Sequence, residues 1–140
     1  MKIEKVLKCE KLIKDINSAW LEEMVPYYEA NGINYRNLEI LNLVCENDLL
    51  TLNSLATLVG RAATNISADL KKLEKRELIG KEVSTTDKRV VYIKATEEGR
   101  RLAKEGKAYF SEILEEVLSE ESIDSLLLAL ENYHGEMKNA

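Results

Sequence analysis

Apolar residues recur along most of the 140-residue chain at spacings of three and four, the period of a helix with one buried face. One proline, Pro26, and six glycines interrupt that pattern, so five or six helices are predicted and the fold class is mainly α (α+β). The first helix spans about 3–30, with Ile3, Val6, Leu7, Ile13, Ile16, Trp20 and Met24 as its apolar stripe. Asn31-Gly32 is its left-handed stop, and Pro26 removes one backbone donor near its end. Asn34 caps a second helix that reaches Glu46 and carries Leu38, Leu41 and either Val44 or Cys45 inward.

Thr51 or Asn53 opens a short helix over 55–59 that halts at Gly60, and a further helix follows over 63–76 with Ile66, Leu70 and Leu73 on one face. The period then switches from helical to two. Residues 78–84 and 90–95 alternate like strands on either side of the polar run Thr85, Thr86, Asp87, Lys88, Arg89 and form a hairpin. Thr96, with Glu98 close behind, caps a long helix over 97–118, and Ser122 with Asp124 starts a last one carrying Ile123, Leu126, Leu127, Leu130 and Tyr133.

Two helices joined at a glycine turn and followed by a basic-tipped hairpin make a winged helix-turn-helix, its wing two- or three-stranded. With Ile66, Leu70 and Leu73 buried, steps of 100° place Thr64, Ala68, Lys71 and Lys75 on the opposite face, flanked by Ser67 and Lys72. Such a face suits the major groove of double-stranded DNA: lysines meet phosphates or guanine, hydroxyls reach base edges or backbone oxygens, and Asn65 reads adenine. The whole of 1–140 reads as one domain, with the winged core at about 34–96. The apolar stripes of about 1–31 and 97–140 exceed what one small core covers, so these long terminal helices are expected to form a homodimer.

A net charge of −5 argues against a polyanionic partner until its distribution is considered. Of the 20 Lys and Arg and 25 Asp and Glu, residues 60–107 hold 13 cations against 8 acids, a local balance of +5. The acidic excess lies in the flanks. No apolar run approaches the roughly 20 residues that span a bilayer, so a cytoplasmic location and no membrane partner are expected.

The segment from Leu52 to Leu102 resembles the DNA-binding core of MarR-type transcriptional regulators. The resemblance is carried by the wing-tip pair Asp87 and Arg89 and by Ala95, Thr96 and Gly99, which match the Leu-Thr-x-x-Gly opening the next helix. It implies a symmetric dimer on a pseudo-palindromic operator, Arg89 entering the minor groove and Asp87 orienting it, with Thr86 and Lys88 beside them. It also implies repression as the commoner mode, and release by a small aromatic or anionic effector in a crevice between the dimer helices and the winged domain. Trp20, Tyr27, Tyr28, Tyr35 and Tyr109 are the aromatic residues expected to wall that crevice. Three positions depart from the family pattern: Ala62 replaces a capping Ser, Glu77 replaces the Gly before the wing, and Ala68 replaces a larger residue. Asp69 adds a negative charge expected near the DNA side.

Alternative readings rest on fewer residues. Cys9 aligns with Ile13, Ile16 and Trp20 as a half-buried thiol near Lys5 and Lys8, the basis for a thiol-based redox-sensing regulator. Cys45 is expected in the core. His134 is the one histidine, so no metal site or cofactor is expected, and without a Gly-rich phosphate loop an enzyme lacks its parts. A winged-helix protein-interaction module without tight DNA binding is the other alternative, favoured by the acidic flanks and Asp69.

Overall fold

The computed structural model describes residues 1–139. Six helices and one hairpin follow in the order α1 (Lys2–Asn31), α2 (Tyr35–Glu46), α3 (Leu52–Val59), α4 (Ala63–Lys75), β1 (Ile79–Val83), β2 (Val91–Ala95), α5 (Glu97–Val117) and α6 (Glu120–Lys138). The winged helix-turn-helix and its long flanking helices are present as the periodicity predicts.

Local chemistry sets the boundaries. α1 runs through Pro26 and stops at Gly32, whose φ of 62° is the left-handed conformation that lets the chain turn without a β-carbon clash. Asn34 and Asn37 form a reciprocal capping box at the start of α2, each side chain bonding the other's backbone N–H. α3 begins three residues earlier than the apolar pattern suggests, because Thr51 rather than Asn53 is the cap. α6 likewise begins at Glu120, because Ser119 bonds the Ser122 N–H and two glutamates complement the helix dipole in the first turn. At α5 the Thr96 hydroxyl accepts from the Gly99 N–H, whereas Glu98 pairs with Arg101.

One core joins the second half of α1 to α2, α3, α4, the hairpin base and α5. Ile40, Leu41, Leu55, Ile66, Leu73, Leu78 and Leu102 are its largest fully buried side chains. Each contributes about 1.5–3 kcal/mol by leaving water. The two strands pair antiparallel in the register Ile79 to Ala95 through Val83 to Val91. Leu50, just before α3, adds a one-residue third strand by accepting the Ile93 N–H at 2.7 Å.

The first eighteen residues of α1, 2–19, are exposed, and α6 buries no residue. Within one chain the apolar stripe of α1 is therefore covered only from Trp20 onward, and Ile3, Val6, Leu7, Ile13 and Ile16 face solvent. This corrects the expected half-burial of Cys9, which is exposed on the same uncovered segment. Cys45 is exposed as well: Leu41 and Val44 fill the inward positions of α2, and one further step of 100° turns Cys45 outward.

Candidate nucleic-acid interface

α4 is anchored by one face and open on the other. Ile66, Leu70 and Leu73 are at most 4% exposed, while Thr64, Asn65, Ala68, Lys71, Lys72 and Lys75 face solvent and Ser67 is half-buried. The predicted division of the helix is thus realised residue by residue. Ala62 offers no side-chain cap, which leaves the amino end of α4 with free backbone donors.

Asp69 contradicts its expected position on the DNA side. It is buried, 3.9 Å from the Arg36 guanidinium of α2. Position 69 lies three residues after Ile66 and so belongs to the inward stripe, a relation that i, i+3 spacing already contains. The carboxylate therefore presents no charge to a ligand lying along the outer face of α4.

The hairpin tip is held by short-range hydrogen bonds. Ser84 is buried, and its hydroxyl accepts from the N–H groups of Thr86 and Asp87, both at 3.3 Å. Asp87 then accepts from the Arg89 N–H at 3.0 Å and receives the guanidinium through both oxygens, each at 3.1 Å. Those bonds from Arg89 hold the Asp87 carboxyl below the usual aspartate range. Arg89 remains 90% exposed, so the pair fixes the direction of a cation whose donors stay accessible. Thr85, Thr86 and Lys88 are exposed beside it.

Between α4 and the hairpin lies a cleft of about 220 Å³ lined by Ser67, Leu70, Lys71, Lys81 and Val91. One of its residues, and one inside the hairpin tip, escape a reading based on helix faces and tip charges alone. Lys81 sits on β1 opposite Ile93 and bonds Glu74 of α4 at 3.4 Å, adding a cation to the cleft. Ser84 organises the tip from inside.

The aromatic residues separate into two groups. A crevice of about 230 Å³ between α1, α2 and α5 is lined by Trp20, Tyr28, Phe110, Asn42 and Lys107, with Trp20 edge-on to Phe110 at 5.7 Å. The Asn42 side-chain oxygen is buried without a partner. Tyr27 and Tyr109 instead pair with each other at 5.6 Å, and the buried Tyr27 hydroxyl donates to the Leu102 carbonyl. Burial and the nearby Glu105 push the Tyr27 phenol above its ordinary pKa. Tyr35 is exposed at the first residue of α2. Of the five aromatic residues predicted for a crevice, the structure brings Trp20 and Tyr28 to this one. Cys9 and His134 are exposed on α1 and α6, away from it. Among the described residues no helix is long and apolar enough to cross a membrane.

The same architecture recurs in solved structures. A MarR family protein from Bacillus stearothermophilus superimposes with a TM-score of 0.84 at 23% identity, covering 99% of both chains. The reduced form of MarR from E. coli gives 0.79 at 16% identity over 89% of this chain and 94% of that one. FabT from Streptococcus pneumoniae, solved in complex with DNA, gives 0.78 at 19% identity over 96% and 98%. These likenesses establish a MarR-type winged-helix fold. A comparison with curated proteins gives no match. The model of the family described as transcriptional regulator SarA/Rot matches residues 25–105, more than half of the chain and all of its winged helix, so the chain belongs to that family of transcriptional regulators.

Proposed function

We propose that this regulator binds a pseudo-palindromic operator in double-stranded DNA as a homodimer and represses transcription by occupying it. The observation that carries the reading is Arg89, held by Asp87 at a hairpin tip yet 90% exposed, on the same domain as a helix whose outer face is Thr64, Asn65, Ala68, Lys71, Lys72 and Lys75. α4 lies in the major groove. Ser67 and the cations of the cleft meet the phosphates beside it, and the hairpin places Arg89 in the minor groove, where a narrow A·T-rich stretch concentrates negative potential. Thr86 and Lys88 contact the adjoining backbone.

The inward position of Asp69 removes one ground for a protein-contact reading of the wing. The DNA complex of FabT, whose fold this chain shares, supports the same choice. The domain division follows: about 34–96 contacts DNA, and about 1–31 and 97–140 join two copies. The exposed apolar residues of α1 and α6, among them Ile13, Leu127 and Leu130, support that division. The aromatic crevice containing Trp20 is the place for a small aromatic or anionic effector that releases the dimer from DNA.

Selection of bound DNA from a random pool, repeated with Arg89→Ala, tests the reading. Enrichment of a two-fold sequence with half-sites about 10 base pairs apart is expected. Affinity should fall on the order of a thousandfold between roughly 50 and 200 mM salt. No enrichment by the wild-type protein returns the wing to protein contact.

A further inference from the structure

The end of the recognition helix is tied to the end of α1 by one side chain. Arg76, the residue that terminates α4, donates from Nη1 to the Gly32 carbonyl at 2.6 Å and from Nη2 to the Asn31 carbonyl at 2.8 Å. These are terminal carbonyls of α1, which have no acceptor role within the helix and carry its negative dipole end. A planar guanidinium reaches both at once, which an ammonium does not. Among the described residues no other hydrogen bond or ion pair joins α1 to the segment 63–76.

The two elements are otherwise held separately. α4 is fixed in the winged helix by Ile66, Leu70 and Leu73. α1 enters the core through Met24 and Tyr27 near its carboxyl end, while residues 2–19 stay exposed, Ile13 and Ile16 meeting α6 only across an open groove. A helix held near one end swings about that end unless something restrains it. Arg76 supplies the restraint at the pivot, and the left-handed residue Glu77 and the hairpin base follow it directly.

We propose that Arg76 is a positioning residue that sets the angle between α1 and the recognition helix, and through it the separation of the two recognition helices in a dimer. Its effect on DNA rests on the operator-binding reading, whereas the strut itself does not. Only the fraction of molecules with correctly spaced helices binds both half-sites, so a swinging α1 lowers apparent affinity by that fraction.

Two measurements on the full chain test this. In the first, wild type, Arg76→Ala and Arg76→Lys are titrated against the selected operator and against versions with half-sites one base pair closer and farther apart. Both variants should lose about tenfold at the preferred spacing, bind the three spacings more evenly, and keep the wild-type salt slope. Unchanged affinity and spacing preference overturns the proposal. So does a shallower salt slope with the spacing preference kept, which makes Arg76 a phosphate ligand. Full binding by Arg76→Lys also overturns it, since charge alone then suffices. In the second, spin labels at Glu22→Cys and Lys72→Cys, with Cys9 and Cys45 changed to Ser, are diluted into unlabelled protein. The intramolecular distance distribution should broaden in Arg76→Ala. An equally narrow distribution sinks the strut even if DNA binding fails altogether, and wild-type protein that enriches no DNA sinks the operator reading alone.

Discussion

The carbonyl of Leu78 occupies the space that a β-carbon on Gly99 would need, and Leu41 Cδ2 stands 3.3 Å from the same point. The first turn of α5 therefore rests directly on the backbone where α4 gives way to the wing. The contact is reinforced from the other side: Thr96 donates its hydroxyl to the Glu77 carbonyl at 2.7 Å and its N–H to the Leu78 carbonyl at 3.1 Å. The Thr-x-x-Gly spacing is thus a joint between the hairpin and α5, with Thr96 as bond and Gly99 as clearance.

Gly99→Ala should destabilise the protein by about 3 kcal/mol, because backbone, unlike a flexible side chain, yields little to overpacking. Urea denaturation measures this. Gly135→Ala is the control: nothing lies within 4 Å of its new β-carbon, and in a helix the change should stabilise by up to about 1 kcal/mol. Equal effects at the two sites would mean that the Leu78 contact relaxes freely.

Glu77 has a φ of 58°, so an ordinary residue occupies the left-handed turn between α4 and the wing. A β-carbon there costs roughly 1–2 kcal/mol, partly offset by the greater unfolded-state entropy of glycine. Glu77→Gly should raise stability by about 1 kcal/mol, read as a rise in the thermal midpoint of a few degrees. A lowered midpoint would show that the Glu77 side chain contributes more than its strained backbone loses.

The departure at position 77 was visible in the sequence, and so was its place before the wing; its meaning is a backbone angle. Helix order, the inward stripe of α4 and the Asp87–Arg89 tip were legible because each depends on spacing of only a few residues. What spacing does not contain is contact between distant segments. Arg76 meets Gly32 across 44 residues and Lys107 meets Glu46 across 61, and neither pair leaves a local pattern. Tyr27 and Tyr109 are expected as crevice walls because they are aromatic, but their pairing across α1 and α5 turns them into packing. Cys9 differs for the opposite reason: its apolar stripe predicts cover, and among the described residues none buries it.

The Asp87 carboxyl titrates below an ordinary aspartate because Arg89 hydrogen-bonds its charged form. A lowered folded-state pKa means the pairing is present above the usual aspartate value and is lost as pH falls through the lowered one. The carboxyl carbon of Asp87, followed by NMR through an acid titration, should show its midpoint below that of a free aspartate. In Arg89→Ala the midpoint should rise toward the ordinary range, with only the bond from the residue 89 N–H left to lower it. A midpoint unmoved by the substitution would dissolve the pair in solution and leave Arg89 undirected at the wing tip.

Ile13 of α1 and Leu127 of α6 are 44% and 53% exposed in the single chain, and apolar grooves between α1, α5 and α6 run past both helices. If the protein is a monomer, Ile13→Glu and Leu127→Glu are surface changes worth no more than about 0.5 kcal/mol each. If two copies share these faces, each substitution buries a carboxylate twice in a two-fold interface, and the dimer should dissociate. Sedimentation at micromolar concentration separates the cases. Wild type is expected at twice the chain mass and Ile13→Glu at once the chain mass, with helical content retained because the winged-helix core is untouched. Operator affinity should fall with the dimer, since a lone winged helix keeps the contacts of one half-site only. A wild-type protein that sediments as a monomer removes the palindrome from the proposed operator and leaves the exposed stripe of α1 to some other partner.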